Sequence, residues 1–111
     1  MIDETKLSPA PWRTARGNLY DSDGSMLFTE CNEVENDVAD AALEFAALCR
    51  NWLAAVNERR WHIEPVGSYW KTLDYFGNRL FDDGETNYFK TYTEAMAGGV
   101  AEHARLKGEG R

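Results

Sequence analysis

Between Val38 and Val56 the apolar residues Val38, Ala42, Phe45, Cys49, Trp52 and Val56 recur at alternating steps of four and three. That is the period of a helix with one face turned to a core, and a strand cannot present it. Ala41, Leu48 and Leu53 widen the stripe. Asn36 or Asp37 stands ready to cap the helix, and Arg59 and Arg60 suit its negative end. The pattern predicts a helix from about Asp37 to about Glu58. In a chain of 111 residues one such element needs a sheet or a second helix to cover its apolar face.

The second helix is expected to start near Thr93, where Thr91-x-x-Glu94 spells a capping box. Its buried face should be Met96, Val100, His103 and Leu106, and Gly98-Gly99 suits a close helix crossing. The strands come from a degenerate repeat. Trp12-Arg13-Thr14 precedes Gly17-Asn18 and Asp23-Gly24; Trp70-Lys71-Thr72 precedes Gly77-Asn78 and Asp83-Gly84. Each unit reads as a tryptophan-bearing strand, a Gly-Asn turn, a very short strand and an Asp-Gly turn. A further strand follows, at Met26–Thr29 and at Tyr88–Tyr92. Trp61 to Glu64 is a short strand that Pro65 should end.

The expected fold is α+β: a small antiparallel sheet from two β-meander units, packed against one long and one shorter helix. One domain should span 1–111, with the repeat at about 11–56 and 70–107. Trp12, Phe28, Phe45, Leu48, Trp52, Val56, Trp70, Leu80, Phe89, Met96 and Val100 are the expected core.

Charge is placed unevenly. The chain carries 19 acids against 12 bases, a net −7. From Gly17 to Cys49 there is no Lys or Arg. The same segment holds Asp21, Asp23, Glu30, Glu33, Glu35, Asp37, Asp40 and Glu44. These eight acids account for the whole excess, because the rest of the chain is nearly balanced. An acidic surface disfavours direct binding of nucleic acid or an anionic membrane and permits a basic partner. Asp37, Asp40 and Glu44 follow i, i+3, i+7 and should line the side of the first helix opposite Phe45 and Trp52. One reading is a solvated face whose acids favour the helix N-terminus. The other is a partner-binding row: carboxylates a helical turn apart lie about 5–6 Å from each other, near the spacing of phosphates along one strand.

Motifs for chemistry are missing. Asp21-Ser22-Asp23-Gly24 places its glycine wrongly for a calcium loop, and a turn explains it. Two histidines, His62 and His103, and two cysteines, Cys31 and Cys49, make no zinc spacing. A Cys31–Cys49 disulfide is open from sequence. No GxSxG elbow, P-loop or dinucleotide fingerprint occurs. We therefore expect no enzyme activity, cofactor or metal. No secretory signal or membrane span is visible, so a cytoplasmic protein is the default.

The unit Trp12…Gly17-Asn18…Asp21-Ser22-Asp23-Gly24, followed by Asp40-Ala41-Ala42 on a helix, resembles strand–turn–strand–helix units of small phage-encoded proteins. Size, acidity and a single domain also resemble anti-CRISPR proteins. The resemblance implies a phage or mobile-element accessory protein in a bacterial cytoplasm that blocks a nucleic-acid-binding complex. It assigns no residue a role. The expected function is thus a non-enzymatic inhibitor or nucleic-acid mimic. Its partner would be a basic protein or nucleoprotein complex, bound through the eight acids. The alternative is a self-associating accessory protein with a homodimer interface on Trp61–Tyr92, which holds nine of the fourteen aromatics.

Overall fold

The computed structural model describes residues 4–29, 36–80 and 88–110. It is an α+β protein with two small antiparallel sheets and two helices. The chain divides into two compact units, Met1–Ala54 and Ala55–Arg111. The long helix α1, Asn36–Arg59, contributes residues to both.

In the first unit a short 3-10 turn, Glu4–Lys6, precedes three strands in the order β1-β2-β3: Arg13–Ala15, Asn18–Tyr20 and Met26–Thr29. This is the meander expected from sequence, with one shift. The first turn is Arg16-Gly17, and Asn18 already belongs to β2. Both turn residues have positive φ, 52° and 74°, which matches a type I′ turn to the twist of the strands. The second turn is built on Asp21. Its carboxylate Oδ1 accepts the N–H groups of Asp23 (2.9 Å) and Ser25 (3.0 Å), and the Asp21 N–H donates to Ser25 O.

The N-terminal segment is fastened to α1 by polar side chains. Asn51 accepts the Trp12 N–H at 2.8 Å and donates to the Trp12 carbonyl at 3.0 Å. Arg50 Nε donates to Ser8 O at 3.1 Å, and its guanidinium lies 5.9 Å from the Trp12 ring. Ala47, Arg50, Trp52 and Ala54 of this unit are buried, and Trp52 lies across the helix from the other three, so this stretch of α1 is covered on more than one side. Phe45 is on the same side as the buried Trp52 but two turns nearer the N-terminal end, and it is 52% exposed, which corrects its assignment to the core. Apolar period alone counts Arg50 and Asn51 against burial, yet here they are the anchors. Phe28 is also corrected, at 61% exposed. It pairs with the fully buried Leu19, but β3 is an edge strand and its register shifts beside this pair.

In the second unit β4, His62–Val66, pairs with β5, Tyr69–Leu73, through a Gly67-Ser68 turn. Pro65 lies inside β4 rather than ending it. It faces Trp70, whose N–H and C=O point away from β4 and bond Phe89 at 2.8 Å each. Pro65 thus occupies a non-hydrogen-bonded site, where its missing N–H is not needed.

Asp74 then repeats the Asp21 loop. Its Oδ1 accepts the N–H groups of Phe76 (2.9 Å) and Asn78 (2.8 Å), and its N–H donates to Asn78 O. Gly24 and Gly77 hold the same position, at φ 86° and 83°. The partner of the Asp21 loop is therefore Asp74–Asn78. The Asp82-Asp83-Gly84 turn lies outside the described residues. The expected strand at Tyr88–Tyr92 reduces to one bridge, Trp70 with Phe89, because α2 begins at Tyr92.

Helix α2, Tyr92–Gly108, has the expected cap: Thr91 Oγ1 accepts the Glu94 N–H at 3.1 Å, and Glu94 reaches back to the Lys90 N–H. Its buried residues are Ala95, Met96, Gly99 and His103. Thr72, 2% exposed, donates to Ala95 O at 3.0 Å and ties β5 to α2. Gly98 accommodates Phe89: a Cβ there would lie 2.6 Å from the Phe89 ring.

Candidate partner-binding surface

Of the eight acids expected to form the surface, three have exposed, described side chains. Asp40 and Glu44 lie one turn apart on α1, on the side that meets the β1–β2 turn. With Leu43 and the strand end Thr14–Gly17 they line an open groove of about 280 Å³. At this end of α1 exposure runs around the helix, taking in Asp40, Ala41, Ala42, Glu44 and Phe45. The two carboxylates are thus accessible. Asp23 is exposed in the loop at the far end of β2. The structure brings Asp40 and Glu44 together and places Asp23 apart from them.

Asp21 leaves the set. It is 4% exposed, and its carboxylate is occupied by the backbone of its own loop. The reason is local: an aspartate that opens a tight turn satisfies N–H groups that no strand partner can reach. Glu30, Glu33 and Glu35 lie outside the described residues, as does the side chain of Asp37, whose backbone begins α1.

The described acids of the second unit differ in one respect. Glu58 pairs with Lys107 (3.2 Å), Glu64 with His62 (3.1 Å), Glu102 and Glu109 with Arg105, Glu94 caps α2, and Asp74 accepts the N–H groups of its own loop. Arg105 is held well above the ordinary arginine range by the hydrogen bonds it donates to Glu102. Asp23, Asp40 and Glu44 make no ion pair with a described residue.

His103 is the most constrained titratable group. It sits on the buried face of α2, as the period predicted, at 7% exposure. Arg59 Nε donates to its Nδ1 at 2.8 Å, and its Nε2 lies 3.3 Å from Glu58 Oε2. An acceptor at Nδ1 requires the neutral tautomer with its proton on Nε2. Trp61 packs edge-on against the ring at 5.9 Å. Burial lowers the His103 pKa below 6.5, and Arg59 and Lys107 add to this, while Glu58 opposes it. Both ring nitrogens are engaged, so the group holds α2 to the end of α1. Sequence marked His103 as packing but carried no sign of Arg59 as its donor.

Among the described residues no three His, Cys, Asp or Glu side chains gather where a metal ion could sit. Cys49 is a free, half-buried thiol whose pKa burial raises. Cys31 lies outside the described residues. No described helix is long and apolar enough to cross a membrane. Comparison with family models, curated proteins and solved structures returns no match.

Proposed function

We propose that this chain is a non-enzymatic binding protein that engages a basic protein or nucleoprotein complex through its acidic segment, in the manner of an anti-CRISPR-like inhibitor. The supporting observation is the contrast in carboxylate use. The described acids of the second unit are matched within the fold by bases, a helix cap or, for Asp74, the N–H groups of its loop. Asp40 and Glu44 are exposed and without an ion-pair partner among the described residues, in a segment that has no Lys or Arg of its own. Arg16 is the one base in the groove lining, so the two carboxylates leave a net negative charge there, and excess like charge costs a small domain stability through self-repulsion. A complementary basic surface would remove that cost, speed association and make it salt-sensitive.

The test is a pull-down from bacterial lysate with the wild-type chain and with Asp40→Lys combined with Glu44→Lys. Mass spectrometry would identify what elutes. Basic proteins released by salt and lost in the variant, with circular dichroism unchanged, are the expected result. Equal capture by both chains would refute the reading.

The second reading, self-association through aromatic residues, also has an observation behind it. Tyr69, Tyr75, Phe76, Tyr88 and Tyr92 are between 39% and 82% exposed.

A further inference from the structure

Strand β1 is paired on one side and open on the other. The two-residue Arg16-Gly17 turn closes on the Ala15–Asn18 pair, so Arg13 and Ala15 turn their N–H and C=O groups toward β2. The residues between them turn these groups outward. Trp12 shows what lies on that side: the Asn51 carboxamide of α1 accepts its N–H at 2.8 Å and donates to its C=O at 3.0 Å. A side-chain amide there makes the two bonds that a residue of a neighbouring strand would make. Thr14 is the next outward-facing residue, about 7 Å along the chain. It is exposed, and neither its N–H nor its C=O has a partner among the described residues.

Thr14 lines the groove of about 280 Å³ that runs between the end of β1 and α1. Thr14, Ala15, Arg16 and Gly17 form one wall and Asp40, Leu43 and Glu44 the other, all within the first unit. An unpaired edge is a template for an added strand. Charge indicates which strand. Asp40 and Glu44 make no ion pair with a described residue, and Arg16 is the one base in the lining. The groove is therefore negative, and a segment bearing Lys or Arg complements it. Backbone bonds to Thr14 would fix the register of such a segment, and the two carboxylates would select its side chains.

We propose that a partner protein adds an extended basic segment to the open edge of β1 at Thr14, with its lysine or arginine side chains on Asp40 and Glu44. The inference rests on the proposed function and narrows the partner to a protein that offers such a segment. A folded basic surface that meets the carboxylates alone would leave Thr14 untouched.

The probe is an acetylated, amidated octapeptide of alternating Lys and Thr, titrated at low salt into the isotope-labelled full-length protein and followed by amide NMR. In the free protein the Thr14 amide should exchange freely with solvent. With peptide bound its resonance should shift and its exchange slow at least about tenfold. The same peptide with every backbone amide methylated keeps its charge but cannot donate to Thr14, and should bind about tenfold more weakly. Thr14→Pro removes the outward N–H from an edge position that tolerates proline and should weaken binding by a similar factor. Asp40→Asn with Glu44→Gln should weaken binding and remove most of its salt dependence. A Thr14 amide already protected in the free protein, no binding up to ~1 mM peptide, or a methylated peptide that binds as well would each overturn the inference. Capture of basic proteins through Asp40 and Glu44 while the Thr14 amide stays unprotected would overturn it and leave the proposed function standing.

Discussion

Replacing His103 with leucine should change both the stability of the protein and how that stability depends on pH. In the folded chain the imidazole is 7% exposed, accepts a hydrogen bond from Arg59 at 2.8 Å and packs against Trp61. Leucine keeps comparable apolar bulk but removes the acceptor for a charged donor, a loss of about 1–3 kcal/mol. Losing the ring contact adds about 0.5–1 kcal/mol. Burial of the leucine side chain offsets part of this, so the net cost at neutral pH should be about 2 kcal/mol. The pH effect has a definite sign. The folded pKa lies below the ordinary 6.5 because burial disfavours the cation, and a proton on Nδ1 would set donor against donor at Arg59. As pH falls through 6.5 the unfolded chain takes up its proton first. Stability is therefore full above 6.5 and declines below it until the folded imidazole also protonates. The slope is at most about 1.4 kcal/mol per pH unit. Urea unfolding at several pH values from about 7.5 to 5.5 measures both effects. If the leucine variant loses stability on acidification as steeply as wild type, the neutral tautomer is not what holds α2 to α1.

Two further outcomes follow from the packing. Gly98→Ala improves helix propensity by about 1 kcal/mol, but its Cβ would meet the Phe89 ring at 2.6 Å, and overpacking costs about 1–3 kcal/mol. Thermal melts should show it destabilising in the wild type and stabilising in a Phe89→Ala background; stabilisation in both would show that the ring yields freely. The paired loops should respond unequally to loss of their aspartates. Asp21→Ala should cost about 2 kcal/mol because Asp21 is 4% exposed, whereas Asp74→Ala, at a half-buried residue whose loop hydrogen bonds are exposed, should cost under about 1 kcal/mol by chemical denaturation. Equal costs would refute the role assigned to burial.

Local patterns were legible wherever the chain's own spacing carries the physics. The 3.6-residue period located α1 to within a residue at each end, and Thr91 and Glu94 marked the start of α2. The strands of the first unit were legible from turn residues. Pro65 was misread because its tolerance depends on which edge of β5 bonds to Phe89, a contact made across distant sequence. The loop equivalence was missed for a related reason. Matching Gly-Asn and Asp-Gly pairs compares residue names, while the Asp-x-x-Gly spacing fixes where one carboxylate can reach two N–H groups.

The sequence alone determined that the chain has one long amphipathic helix and that its acids crowd into one segment free of bases. Both follow from order along the chain, which folding does not alter. Tertiary structure decided that Trp52 of the apolar stripe is buried while Phe45 is not, and that Arg50 and Asn51 are anchors, because their side chains bond the backbone of the N-terminal segment. It also decided which acids are available. Asp21 is consumed by its own turn, while Asp40 and Glu44 stand at an exposed helix end beside the β1–β2 turn. Charge is a property of residues, but whether a charge can meet a partner depends on what the fold has already placed against it.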